Sequence, residues 1–210
     1  MTKLRNFFTQ SALILSTSLV FCASASAHLL TTKLTADNSF VAYLSDANTT
    51  QGTQFSSGTN WGTVYTGSFA LNGLNTYYLH ISALDAGGVA GLLGEFSLAG
   101  SGYHFANNTT SLLTGSSLIT ANATGYTSAF TATTNYGLNN NSQTWGTVAG
   151  ISNSAQWVWS GNNDTNNASY FSVAILKDAP TNVPEPGSLG LLGLGLLALT
   201  RVGKKSGKAK

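Results

Sequence analysis

The chain has 210 residues, a formal net charge of +2 and charged side chains at only 8% of its positions. Seven of its nine basic residues lie near the two ends, at Lys3, Arg5, Arg201, Lys204, Lys205, Lys208 and Lys210, so between His28 and Asn182 two lysines face six carboxylates and the formal charge is −4. Neutralising a phosphate backbone takes several clustered cations, which excludes nucleic acid as a partner.

The N-terminal segment carries Lys3 and Arg5, an apolar run from Ala12 to Cys22 and then Ala25-Ser26-Ala27. That order reads as a secretory signal peptide over residues 1–27, cut before His28. Cys22 also invites a lipoprotein reading, but Phe21 stands where lipoprotein processing wants a small residue. With the leader removed no cysteine remains, so an exported body of this length must be held by apolar burial and not by disulfides.

Along the body the apolar period is two. Phe40, Ala42 and Leu44 alternate with Val41 and Tyr43, and Tyr77, Leu79, Ile81 and Ala83 alternate with Tyr78, His80, Ser82 and Leu84. Residues 63–71 and 94–100 behave similarly, and Phe171, Val173 and Ile175 alternate with Tyr170, Ser172, Ala174 and Leu176. Strands rich in aromatic and β-branched residues, separated by Gly/Asn/Ser/Thr turns, predict an all-β antiparallel sandwich over 28–179. Residues 106–154 are polar and nearly uncharged yet keep Leu112, Leu113, Tyr126, Phe130, Tyr136 and Trp145, which predicts long connections and short edge strands over the sandwich. Within the body, "NWGTVYTG" at 60 and "TWGTVAG" at 144 look alike, but two copies are too few for a repeat architecture.

The Ala36-Asp37-Asn38 segment, Trp61, the turn from Asp85 through Gly87, Gly88 and Gly91 to Leu92, and the closing Trp157-Val158-Trp159 with Tyr170-Phe171 together resemble galactose-binding-like β-sandwich (jelly-roll) modules. Such modules accompany glycoside hydrolases or occur alone in surface proteins. The resemblance implies a fold more than a ligand, since relatives bind different glycans, calcium or nothing known.

Physical reading of the residues leaves choices open. Gly87, Gly88 and Gly91 permit the positive φ of a tight loop. Trp157 and Trp159, two apart on one strand, share a face and serve core packing or a sugar platform; Trp61 and Trp145, in polar loops, are the better platforms, because an aromatic face stacks on sugar C–H surfaces. Asp37, Asp85 and Glu95 are expected either as oxygen ligands of a calcium ion or, for Asp37, as a turn cap. No other cofactor is expected. His80 and His104 have no second histidine or cysteine near in sequence, which disfavours zinc.

Catalysis has little to work with. A G-x-S-x-G elbow and a mature cysteine nucleophile are both missing, and a glycosidase needs two opposed carboxylates that the sequence does not establish. The Gly193–Ala198 match to a dinucleotide-binding pattern lies inside a terminal apolar run, where glycines suit a membrane helix.

At the C-terminus the order is a Pro-bounded linker at 180–186, an apolar helix at 187–203 and a basic cytoplasmic tail at 204–210. From Gly187 to Val202 a helix spans roughly 24 Å, slightly under a hydrocarbon core of roughly 30 Å. Arg201, Lys204 and Lys205 would hold its end at the cytoplasmic face of the inner membrane. Val183-Pro184-Glu185-Pro186, the Gly/Leu-rich helix and the basic end resemble the PEP-CTERM sorting signal of Gram-negative bacteria. That resemblance implies recognition by exosortase, a membrane protease-transpeptidase, and export together with extracellular polysaccharide. The basic cluster departs from the pattern in being interrupted by Val202-Gly203 and followed by "SGKAK". A permanent single-span anchor is the alternative on hydropathy alone.

The expectation is therefore a non-catalytic exported protein, first anchored in the inner membrane and then at the cell surface or in the extracellular matrix, with carbohydrate binding or association with polysaccharide as its role. A structural or adhesive matrix protein is the second reading. An ice-binding protein, whose kind can carry similar tails, and a glycosidase come after it.

Overall fold

The computed structural model describes residues 28–73, 76–140 and 143–179. The expected signal peptide, the linker at 180–186, the membrane helix at 187–203, the basic tail and the sorting residues Val183, Pro184, Glu185, Pro186, Arg201, Lys204 and Lys205 lie outside the described residues.

The alternating segments form β1 (His28–Asp37), β2 (Ser39–Ser45), β3 (Thr53–Gly58), β4 (Tyr65–Leu71), β5 (Tyr77–Leu84) and β6 (Gly91–Ala99). The polar stretch contributes short strands, β7 (Tyr103–Phe105), β8 (Ser111–Leu113), β9 (Thr120–Asn122), β10 (Thr131–Ala132) and β11 (Thr134–Leu138). β12 (Gln156–Trp159) and β13 (Ala168–Lys177) close the domain. Among the described residues there is no helix, hence none long and apolar enough to cross a membrane.

Two antiparallel sheets result. The first orders β11-β12-β6-β1-β4 with β8 added on β6, and the second orders β10-β9-β13-β5-β2-β3 with β7 added on β13. Apart from the β2–β3, β9–β10 and β11–β12 links, every connection between successive strands passes from one sheet to the other, so most strands adjacent in sequence lie in opposite sheets.

The period-two pattern decides which side chains enter the core. Leu30, Leu34 and Ala36 of β1 and Leu92, Phe96 and Leu98 of β6 point inward from the first sheet. Phe40, Ala42 and Leu44, then Tyr77, Leu79, Ile81 and Ala83, then Phe171, Val173 and Ile175 meet them from the second, as the alternation predicts. β1 lies inside the first sheet, between β6 and β4, although its sequence alternation does not single it out.

The polar stretch does more than connect. Residues 143–155 fold over the outer face of the first sheet, where Trp145, Val148, Ile151 and Ala155 join Leu93 and Trp157 in a second apolar cluster. Asn139, fully buried, fastens this segment by donating to the Val148 and Ile151 carbonyls and accepting from the Val148 amide. Trp157 sits in this outer cluster while Trp159 sits in the main core, so the expectation that the two indoles share a face is corrected. The irregular register between β11 and β12, with a single pairing of β12 to β6 at Val158 and Leu92, accompanies that split.

On the outer face of the second sheet, Tyr126 covers His80 with ring centroids 4.4 Å apart. The His80 ring nitrogens face the Gln51 carbonyl and the Asn48 side-chain oxygen. Burial holds the imidazole below its ordinary value, and the backbone contacts only partly offset it. A histidine kept neutral in the fold but free to charge when unfolded supports stability fully above about pH 6.5 and loses that support as pH falls through the lowered folded value. The urea midpoint of the protein is therefore expected to drop on acidification below about pH 6.5, and His80→Phe is expected to flatten that part of the profile.

Candidate functional site

Strand registers define two poles. His28 pairs with Leu71, Leu29 with Ala99 and Lys177 with Tyr103, and the His28 and Tyr103 rings meet edge to face, so the chain enters β1 and leaves β13 at one pole. At the opposite pole, about 30 Å away along β1, Asp37 pairs with Gly91 and Leu84 pairs with both Ser39 and Ala168.

The far pole is built from the Asn38 corner, the β3–β4 turn, the β5–β6 loop and the β12–β13 loop. Asparagines tie three of these together, and Thr35 Oγ1 holds the β3–β4 turn through the Asn60 and Trp61 carbonyls. The Asn38 amide donates to the Leu84 carbonyl and its side-chain oxygen accepts from the Ala86 amide, while Asn163 exchanges two hydrogen bonds with Ala90. Asp85 Oδ2 accepts from the Gly87 amide at 2.9 Å, and Gly87 and Gly88 hold φ of 116° and 106°, which suits glycine alone. Gly91 is a glycine for a different reason than expected. Its φ is not positive; a Cβ there would stand 2.7 Å from Trp157 and 3.0 Å from Trp145.

Trp61 and Trp145 take opposite places. Trp61 lies in the β3–β4 turn with 39% of its surface exposed, and its carbonyl accepts from Thr35 Oγ1 at 2.7 Å. Trp145 is 5% exposed, stacked on Trp157 at 4.3 Å, with its indole N–H donated to Asp37 Oδ2 at 2.9 Å. The expectation of Trp145 as an exposed platform is thus corrected, because the outer cluster needs its area more than solvent tolerates it. The two Trp-Gly-Thr-Val segments converge, for Val64 packs on the cluster that holds Val148.

The three carboxylates proposed for calcium do not gather. Asp37 holds Trp145, Asp85 closes its own turn, and Glu95 lies four residues along β6 from Gly91, the partner of Asp37, hence about 13 Å down the sheet. Glu95 accepts from Lys33 Nζ at 2.6 Å and from the Ser152 amide at 3.0 Å. Among the described residues no group of three or more histidine, cysteine or acidic side chains could hold a metal ion. The expectation corrected here is that Asp37, Asp85 and Glu95 act together as one ligand set, because Glu95 lies well down the sheet from the pole that carries the two aspartates.

Exposed apolar side chains concentrate at the far pole, where Leu84 and Val89 accompany Trp61. Asp37, Asp85 and Asp164 give that pole negative charge, and neither body lysine lies there. The sequence reading named Trp61 but missed the asparagine ties and the apolar company of Leu84 and Val89, which only the strand registers reveal.

The described residues form an all-β sandwich of two antiparallel sheets whose first and last strands, β1 and β13, begin and end at one pole while Trp61 is exposed at the other. Residues 182–205, immediately beyond the sandwich, match the PEP-CTERM protein-sorting motif. The motif indicates an exported protein handled by an exosortase, a membrane protein, and anchored at the membrane before processing. Neither a curated protein nor a solved structure matches the chain.

Proposed function

We propose that the protein is a non-catalytic, polysaccharide-associated component of the cell surface or extracellular matrix, and that its sandwich, read as a galactose-binding-like module, binds carbohydrate at the far pole. The observation that supports this most is polarity. Both chain ends leave the sandwich at the His28–Lys177 pole, so a tail held at the membrane or by the sorting enzyme turns Trp61 outward. An exposed indole beside the Asn60 side chain, at a pole that also exposes Leu84 and Val89, suits the C–H face and hydroxyls of a sugar.

The test is a glycan array probed with the full chain, with and without calcium. Trp61→Ala is expected to weaken the strongest glycan interaction by about 1–3 kcal/mol without altering the far-ultraviolet spectrum. Absence of any glycan signal from the wild-type chain would shift the reading to a structural or adhesive matrix protein.

A further inference from the structure

A second polar surface lies on the flank of the first sheet, away from the far pole. The outward residues of β1, β6 and β8 form two rows there, because the registers set Thr31 against Ser97 and Ser97 against Ser111, then Lys33 against Glu95 and Glu95 against Leu113. These rows and Ser152 line a groove of about 330 Å³. Among the described residues the hydroxyls of Thr31, Ser97 and Ser111 have no hydrogen-bond partner.

The first row offers three hydroxyls one strand spacing apart, about 4.8 Å. The second offers an ammonium, a carboxylate and an apolar wall. Lys33 gives one of its three N–H donors to Glu95 and keeps the others, and Glu95 is held in place by the Ser152 amide. The ion pair leaves the groove without net charge, on a body of formal charge −4. An anionic chain gains nothing from such a surface, whereas a neutral sugar unit finds donors, acceptors and a C–H contact on Leu113. We propose that this groove is a separate glycan subsite that takes an uncharged sugar unit of a neutral polysaccharide.

The experiment measures affinity of the full chain, in a detergent without a sugar headgroup, for cellotetraose, mannotetraose, galactotetraose and the acidic comparison tetragalacturonate. It is done in the wild type and in Trp61→Ala, so that the remaining binding reports the groove. The expected result is residual neutral-sugar binding in Trp61→Ala that falls about tenfold or more when Ser111→Trp, which fills the groove from an exposed position, or Lys33→Met is added. Unchanged affinity in both double variants overturns the proposal. Complete loss with Trp61→Ala alone overturns it while leaving the far-pole reading standing, and failure of the wild type to bind any of the neutral sugars overturns it too, the far-pole reading then falling only if the glycan array is also silent. Equal or tighter binding of tetragalacturonate contradicts the neutral class.

Discussion

Replacing Pro184, Glu185 and Pro186 together by alanine is expected to leave export across the inner membrane intact and to stop the protein there, uncleaved. The two prolines fix an extended backbone, and the single carboxylate is the one charge between the sandwich and the apolar run. An enzyme reading this boundary has little else distinctive to recognise. Leu-to-Ile exchanges between 189 and 199 keep length and hydropathy and are expected to change little. Cell fractionation with mass analysis of the C-terminus reads the outcome. A triple variant that reaches the surface with wild-type mass and yield makes the segment a plain linker and the tail only an anchor.

The second large effect separates the two tryptophans that the sequence treats alike. Trp145→Ala is expected to cost about 3–5 kcal/mol of stability, as removal of a buried indole does. It vacates the stack on Trp157 and strips Asp37 of its indole donor. Trp61→Ala, at an exposed turn, is expected to stay within about 0.5 kcal/mol of the wild type. Urea denaturation of both variants checks the contrast; equal losses would show that burial does not distinguish them.

Much of the sandwich was legible because a strand with one buried face writes its period into its own residues. β2, β5 and β13 fall where the alternation of Phe40, Leu79 and Phe171 with their polar neighbours places them. β1 escaped because its inward face includes Thr32 and its outward face Leu29, which blurs the alternation even though the strand pairs on both sides, with β6 and β4. The outer cluster was illegible for a different reason. Whether Trp61 or Trp145 is buried depends on which loop crosses the sheet over Gly91, a long-range fact absent from either Trp-Gly-Thr-Val segment. The carboxylates failed similarly, since sequence shows their chemistry but strand register sets their separation. The sorting signal was readable because a membrane-boundary peptide is recognised as a linear order of unlike parts, with no tertiary structure required.

Far-pole presentation and flank binding both presuppose that the protein is exported, trimmed and delivered by its tail. Intact-mass measurement of the wild-type protein recovered from the surface or matrix of its native host tests that most directly. The predicted result is a chain that begins at His28 and lacks the apolar run and basic end beyond Pro186. A surface-recovered chain that still extends to Lys210 would contradict the account.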